Sequence, residues 1–197
     1  MLVLPLKFVS LVGCIMKSHS NRFNIYLLAA LAVVSVCGCK SAGKHKKQLS
    51  AFHMHMEVNA DASNRSQAVP IYRAQPFLLT IDKAPFLTEG NVAEAKVIDV
   101  VGGFDISIKF DRQGTWLLNS FSTANRGRHF AIFVQWTAKP GDKIGPGRWL
   151  AAPQITKPLT EGMLVFTPDA SREECDQIVL GLNNVAKKLK TGSELNW

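Results

Sequence analysis

Apolar and polar residues alternate in several short stretches after residue 50, which is the spacing of β-strands that bury one face. The stretch FHMHMEV, residues 52–58, has this period, and FDISIKF, residues 104–110, repeats it. AKVIDVV precedes the second stretch and is separated from it by Gly102 and Gly103. Because primed two-residue turns need positive φ, this pair of glycines predicts a β-hairpin.

Four further stretches have the composition of strands: PFLLTI, RHFAIFVQW, RWLAAPQI and GMLVF. A first helix is predicted after Asp111, which suits an N-cap, with Leu117, Phe121 and Ala124 on one face. The polar segment NADASNRSQ, residues 59–67, predicts a loop.

The longest helical pattern closes the chain. Ser171 and Glu174 have the spacing of a capping box, and three lysines near the end of the pattern complement the helix dipole. Its apolar stripe comprises Cys175, Ile178, Leu182, Val185 and Leu189. Since strands outnumber helices and the hairpin is antiparallel, the predicted fold is α+β, a mostly antiparallel sheet with two helices packed on one face.

An apolar run over residues 25–38 gives way at once to lysines. A membrane-spanning helix needs about 20 apolar residues, so the shorter run fits a signal peptide better, with Lys17 and Arg22 as its positive segment. The letters VCGC, residues 36–39, resemble the lipobox of bacterial lipoproteins. The resemblance implies that Cys39 becomes the lipidated first residue of the mature chain, with palmitate-type acyl chains. A plain secretory signal with a chance cysteine is the alternative.

The predicted organisation is a signal peptide over residues 1–38, a lipidated tether over 39–50 and one domain over 51–197. A second apolar patch precedes Met16, so we expect translation to start there; a long signal or a short first anchor is the rival interpretation. Lysine follows the lipobox cysteine, and in the lipoprotein pattern this implies attachment to the outer membrane, facing the periplasm.

The formal net charge of +8 does not predict nucleic-acid binding. Of 23 Lys and Arg residues, three precede Cys39 and four lie in the tether, which leaves 16 against 15 acidic residues from Ser50 onward. The excess charge therefore belongs to the signal and the tether. In the tether it could lie against anionic headgroups or form a solvated spacer.

Candidate chemistry is sparse, and the sequence offers no nucleophile, base and acid in a supporting context, so we expect no enzyme and no cofactor. His53 and His55 share a strand face and could bind a metal together with His45 or Glu57. Two histidines alone make an incomplete site, and a solvated strand face is the alternative.

One cysteine and two tryptophans are further candidates for a functional role. Cys175, the thiol left in the mature chain once Cys39 is acylated, is expected to be a buried small hydrophobe and can form no intrachain disulfide. Trp136 and Trp149 flank a Gly- and Pro-rich loop. They either present aromatic surface to a partner or anchor the loop to the core.

Residues 86–189 resemble the periplasmic head subdomain of SecD, a subunit of the bacterial protein-export machinery. Its pattern runs strand, F-x-x-x-G, helix, T-x-x-N-x-G-R-x-x-A-I, strand, A-P-x-I-x-x-x-I-x-x-G, strand, helix. The matching residues here are Phe110, Gly114, Asn125, Gly127, Arg128, Ala131, Ile132, Ala152, Pro153, Ile155 and Gly162, and Thr123 is separated from Asn125 by one residue where the pattern has two. Leu159 replaces an isoleucine, and TAKPGDKIGPG lengthens a hairpin that is short in SecD.

SecD works with SecF through several membrane helices that this sequence does not show, so proton-driven translocation is not carried over. Taken with the lipobox, the resemblance predicts a lipid-anchored, non-enzymatic envelope protein with a binding or scaffolding domain. We expect its partners to be the membrane and envelope or exported polypeptides, met along a strand edge or beside Trp136 and Trp149. The alternative is a small metal-binding or catalytic lipoprotein that uses His53 and His55.

Overall fold

The computed structural model describes residues 48–60 and 64–192. The predicted signal peptide, Cys39 and His45 lie outside the described residues. Within the described ranges the elements are β1 Ser50–Met56, β2 Ser66–Ile71, β3 Phe77–Asp82, β4 Leu87–Thr88, a 3₁₀ turn Glu89–Asn91, β5 Val92–Val100, β6 Gly103–Phe110, α1 Arg112–Ala124, β7 Phe130–Trp136, β8 Arg148–Ala151, β9 Met163–Phe166 and α2 Arg172–Lys190.

All strand pairs are antiparallel, and they form three sheets rather than one. The strand orders are β4-β1-β7-β8, β2-β3 and β5-β6-β9. The predicted α+β class with two helices is confirmed, but the predicted single sheet is divided. The prediction of a loop over residues 59–67 is wrong at its C-terminal end, because β2 begins at Ser66. This strand pairs with β3 alone and contains Pro70, which is compatible with a sheet edge but hides the strand from a sequence pattern.

The main core lies where the four-stranded sheet, the three-stranded sheet and both helices meet. The alternation in β1 buries Phe52, Met54 and Met56 there, as predicted. Leu118 of α1 and Leu182 of α2 are fully buried in the same core. Removing apolar side chains from water in this way is the dominant favourable term in folding.

A second, smaller core lies on the opposite face of the four-stranded sheet. Its members come from the β2–β3 hairpin, from β7 and from the residue after β8: Val69, Ile71, Leu79, Ile81, Ala131 and Ala152. The hairpin thus packs against the face of β1 that carries His53 and His55.

Both helices begin as predicted. Asp111 accepts a hydrogen bond from the Gly114 N–H at 2.7 Å, and Ser171 and Glu174 form the reciprocal bonds of a capping box. The predicted stripes need two corrections. Ala124 is exposed because the buried line of α1 runs through Leu118, and Leu189 is 42% exposed in the last turn of α2.

The β5–β6 hairpin is confirmed, but its turn is not the glycine pair. Val100 pairs with Gly103, so Val101 and Gly102 form the turn. Gly102 has φ +89°, whereas Val101 has no positive φ, which excludes the primed turn types.

Close packing explains one of the matched glycines. A Cβ on Gly114 would lie 2.9 Å from the Phe110 Cβ and 3.0 Å from the Asn91 Cβ. Only glycine lets the first turn of α1 approach the end of β6 this closely. The F-x-x-x-G spacing is therefore a packing requirement of the fold.

Candidate functional site

The two strand histidines lie on the β1 face that meets the β2–β3 hairpin, with ring centroids 6.2 Å apart. His55 is only 6% exposed, and its Nδ1 is 2.9 Å from the Asp82 carbonyl oxygen. Burial lowers the pKa of His55 below its usual value, against the opposing effect of that carbonyl. The ring is therefore a neutral, packed side chain rather than a solvated one.

The residues expected to complete a metal site are not brought together. Glu57 follows the last residue of β1 and accepts a hydrogen bond from the His129 N–H at 2.6 Å, with His129 Nδ1 2.8 Å from the same oxygen. The carboxylate nearest His53 is that of Glu89, at 3.9 Å. Over the part of the chain that the structure describes, no group of three or more His, Cys, Asp or Glu is placed to hold a metal ion.

Trp136 and Trp149 are both half-buried and act as packing residues. The Trp149 ring lies 5.0 Å from Phe133 and 5.3 Å from His55, measured between centroids, and packs on the second core. Trp136 packs against the main core and carries the Arg148 guanidinium 4.9 Å above its ring. Of the two roles that the sequence allows, anchoring to the core and presenting aromatic surface to a partner, the structure shows the first.

Cys175 is fully buried on α2, as predicted. Burial, together with the nearby Glu174 and Asp176 carboxylates, raises the pKa of its thiol to about 11. A thiol that stays protonated at neutral pH is a poor nucleophile and a poor metal ligand.

Side chains cover two sheet edges that would otherwise expose backbone groups. The Asn183 amide accepts the Ala95 N–H and donates to the Ala95 carbonyl, each at 2.9 Å, and so covers β5. Glu89 accepts the Phe52 N–H at 3.1 Å on the part of β1 that the two-residue β4 leaves unpaired. Exposed edges pair readily with other chains, and such covers prevent this.

Backbone segments cover two more edges. The Asp169 N–H donates to the Leu150 carbonyl of β8 at 2.8 Å. The Val58 N–H donates to the Thr80 carbonyl of β3 at 2.9 Å. The edge of β9 differs from these four.

Strand β9 pairs with β6 on one side and has no strand on the other. The Phe110 N–H donates to the Gly162 carbonyl at 2.9 Å, and hydrogen-bonded pairs alternate along an antiparallel ladder. The backbone groups of Met163 and Val165 therefore point away from β6, and no other described residue bonds them. The two side chains are 43% and 45% exposed on the outer face of the sheet.

A shallow depression of about 320 Å³ adjoins this edge on the outer face of the sheet. It is lined by Glu94, Lys96, Ser107, Lys109, Glu161 and Met163. Free backbone groups, two exposed apolar side chains and charges of both signs can accept an added extended chain with little demand on its sequence. GMLVF was predicted as a strand, but nothing local in it indicates which edge stays open.

In the described ranges no helix is both long and apolar enough to cross a membrane. Residues 63–186 match the family model for the SecDF P1 head subdomain. A search among curated proteins gave no match.

Three solved SecDF structures are similar to this chain. The first, a membrane component that enhances protein export, is 17% identical with a TM-score of 0.46, over 85% of this chain and 70% of that one. The second, in a super-membrane-facing form, is 14% identical with a TM-score of 0.42, over 82% and 32%. The third, a translocon-associated membrane protein from Thermus thermophilus, is 14% identical with a TM-score of 0.37, over 83% and 34%. This chain spans about a third of the second and third SecDF chains.

Proposed function

Because this chain belongs to the SecDF P1 head subdomain family, we propose that it is a non-enzymatic envelope protein, lipid-anchored through Cys39 and facing the periplasm. Its domain binds extended segments of envelope or exported polypeptides along β9. The observation that carries the proposal is the open edge at Met163 and Val165, whereas outward backbone groups on β5, β1, β8 and β3 are bonded.

The edge favours weak and unselective binding. Met163 and Val165 offer two N–H donors and two carbonyl acceptors, and a typical hydrogen bond contributes about 0.5–1.5 kcal/mol net. Loss of translational and rotational freedom opposes this gain, so short-lived complexes are expected. Exposed apolar side chains next to the edge add contact without demanding a defined sequence.

A membrane anchor would make such weak binding useful. Flexible-chain statistics give a tether of about ten residues a reach of roughly 15–20 Å. Holding the domain within this distance of the membrane raises its effective concentration toward polypeptides at the same surface, without a requirement for high affinity.

Val165→Pro tests the edge. Its N–H points away from β6, so proline removes the free donor and leaves the pairing with β6 in place. We expect the mature chain with this change to bind a labelled, urea-unfolded outer-membrane protein about fivefold more weakly by fluorescence anisotropy, the loss of one net hydrogen bond of about 1 kcal/mol.

Val165→Thr is the matched control, because it keeps the N–H and a β-branched side chain. It should bind as the wild type does. Val165→Lys places a charge on the edge. It replaces the proline variant if that variant has a lower melting temperature than the wild type. Equal binding by wild type, Val165→Pro and Val165→Lys would exclude β9 as the binding edge.

Cys39→Ser tests the anchor. Serine has no thiol to receive the diacylglyceryl group, so the variant should lose lipid labelling and leave the detergent phase. A serine variant that still carries lipid would refute the anchor at Cys39. Density-gradient fractionation of the wild type then distinguishes the outer from the inner membrane.

A further inference from the structure

Lysines gather where the end of α2 lies beside β5 and β6. A groove of about 460 Å³ separates these elements. It is lined by Ala93, Glu94, Lys109, Asn183, Ala186, Lys187 and Lys190. We call Lys109, Lys187 and Lys190 the lysine surface. All three lysines are exposed.

The groove lining carries more positive than negative charge, three lysines against one carboxylate. Glu94 is the acidic residue in the groove lining, and its carboxylate is paired with Lys96 at 3.0 Å. No carboxylate of a described residue lies within 4 Å of the three lysines. The hydrogen bond from Lys96 lowers the pKa of Glu94, and Lys109 and Lys190 lower it further, as expected near an excess of positive charge.

The same end of α2 holds the start of the described chain. Asn184 donates from its Nδ2 to the Gln48 carbonyl at 3.0 Å, so residue 48 is bound within one or two helical turns of the lysines. At 1.5 Å per residue, the helix places Lys190 about 9 Å beyond Asn184. The described chain therefore begins close to Lys187 and Lys190.

We propose that the lysine surface docks on the anionic phospholipid headgroups of the membrane that holds Cys39, an inference that rests on the proposed anchor. The potential of an anionic membrane acts only within about a Debye length, roughly 8–10 Å. A surface beside the tether attachment is held nearest to this layer. Long exposed lysines in an open groove suit headgroups that are themselves loosely ordered.

The test uses the mature chain carrying Cys39→Ser, so that binding does not depend on the acyl chains. The chain is sedimented at low salt with vesicles of phosphatidylglycerol and phosphatidylcholine, and with vesicles of phosphatidylcholine alone. Binding should require the anionic lipid. Each lysine near such a surface contributes roughly fivefold in affinity, so the combined Lys109→Gln, Lys187→Gln and Lys190→Gln variant should bind at least about tenfold more weakly.

A matched control removes the same charge elsewhere. Lys83, Arg126 and Lys157 are exposed residues outside the groove lining and make no contact with Gln48, and changing all three to Gln should leave vesicle binding within about twofold of wild type. Equal losses in the two triple variants would show that only net charge matters and would overturn the proposal. Unchanged vesicle binding by the variant with Lys109, Lys187 and Lys190 changed to Gln would overturn the proposal as well.

Two further measurements separate other outcomes. Replacing sodium chloride by sodium phosphate at equal ionic strength should release no extra protein. A stronger release would identify a discrete phosphate site instead of a membrane surface. Absence of lipid on the wild-type chain would refute the anchor alone, since the vesicle assay is made without it.

Discussion

At the residue scale, Gly127 shows what the matched pattern requires of the backbone. It joins α1 to β7 with φ +86°, its N–H donates to the Ile155 carbonyl at 2.8 Å, and its carbonyl accepts from Gln154 at 3.0 Å. A Cβ there meets no atom within 4 Å, so the strain of a substitution lies in the backbone alone.

Gly127→Val should therefore lower the free energy of unfolding by about 1–3 kcal/mol, because a β-branched residue is strained at positive φ. Asparagine adopts this conformation more readily, so Gly127→Asn is the control and should lose clearly less. Urea unfolding of both variants measures the difference. Equal stability of the valine variant and wild type would remove the backbone explanation.

His55 should make the domain sensitive to mild acid. Its folded-state pKa is lowered, so the unfolded chain takes up the proton first and stability falls as pH drops below about 6.5, until the folded state is protonated too. His55→Gln can still bond the Asp82 carbonyl but does not titrate. The free energy of unfolding, measured from about pH 7 to about pH 5, should fall less in this variant. An identical slope in both proteins would contradict the assignment to His55.

At the element scale, the cover on β5 predicts a specific weakness. Ala95 is 2% exposed, and both of its backbone groups depend on the Asn183 amide. Asn183→Ala leaves them unsatisfied and should lower the free energy of unfolding by about 1–3 kcal/mol. It also uncovers a strand edge, so dimers should appear at high concentration in sedimentation velocity. Asn184→Ala, which loses one bond near the chain start, should form no more dimer than the wild type.

Elements with strong local signals could be predicted from the sequence. The alternation of β1 and β6 and the capping box at Ser171 each depend on residues close together in the chain. The sequence did not predict β2 or β4. β2 contains Pro70, and β4 has only two residues. The open edge of β9 and the lysine surface could not be predicted, since both arise from pairings between segments far apart in sequence.

At the scale of the whole molecule, the two proposed surfaces belong to one sheet. β5 and β9 are its opposite edges, with β6 between them, so the edges are roughly 10 Å apart at the usual strand spacing. Lys109 contributes to the lysine surface, and its neighbour across the strands is Met163 at the open edge. A polypeptide added to β9 would thus run close to the headgroups without covering the groove beside α2.

We therefore expect both surfaces to be occupied at once. A labelled unfolded polypeptide should sediment with anionic vesicles only when the protein is present, and its affinity should be the same within about twofold with and without saturating vesicles. Val165→Pro should keep vesicle binding but carry less polypeptide into the pellet. The Lys109, Lys187 and Lys190 triple variant should reduce both protein and polypeptide in the pellet and keep polypeptide binding in solution. Release of bound polypeptide on addition of anionic vesicles would show that the two surfaces overlap, and would exclude a domain that receives polypeptides while it rests on the membrane.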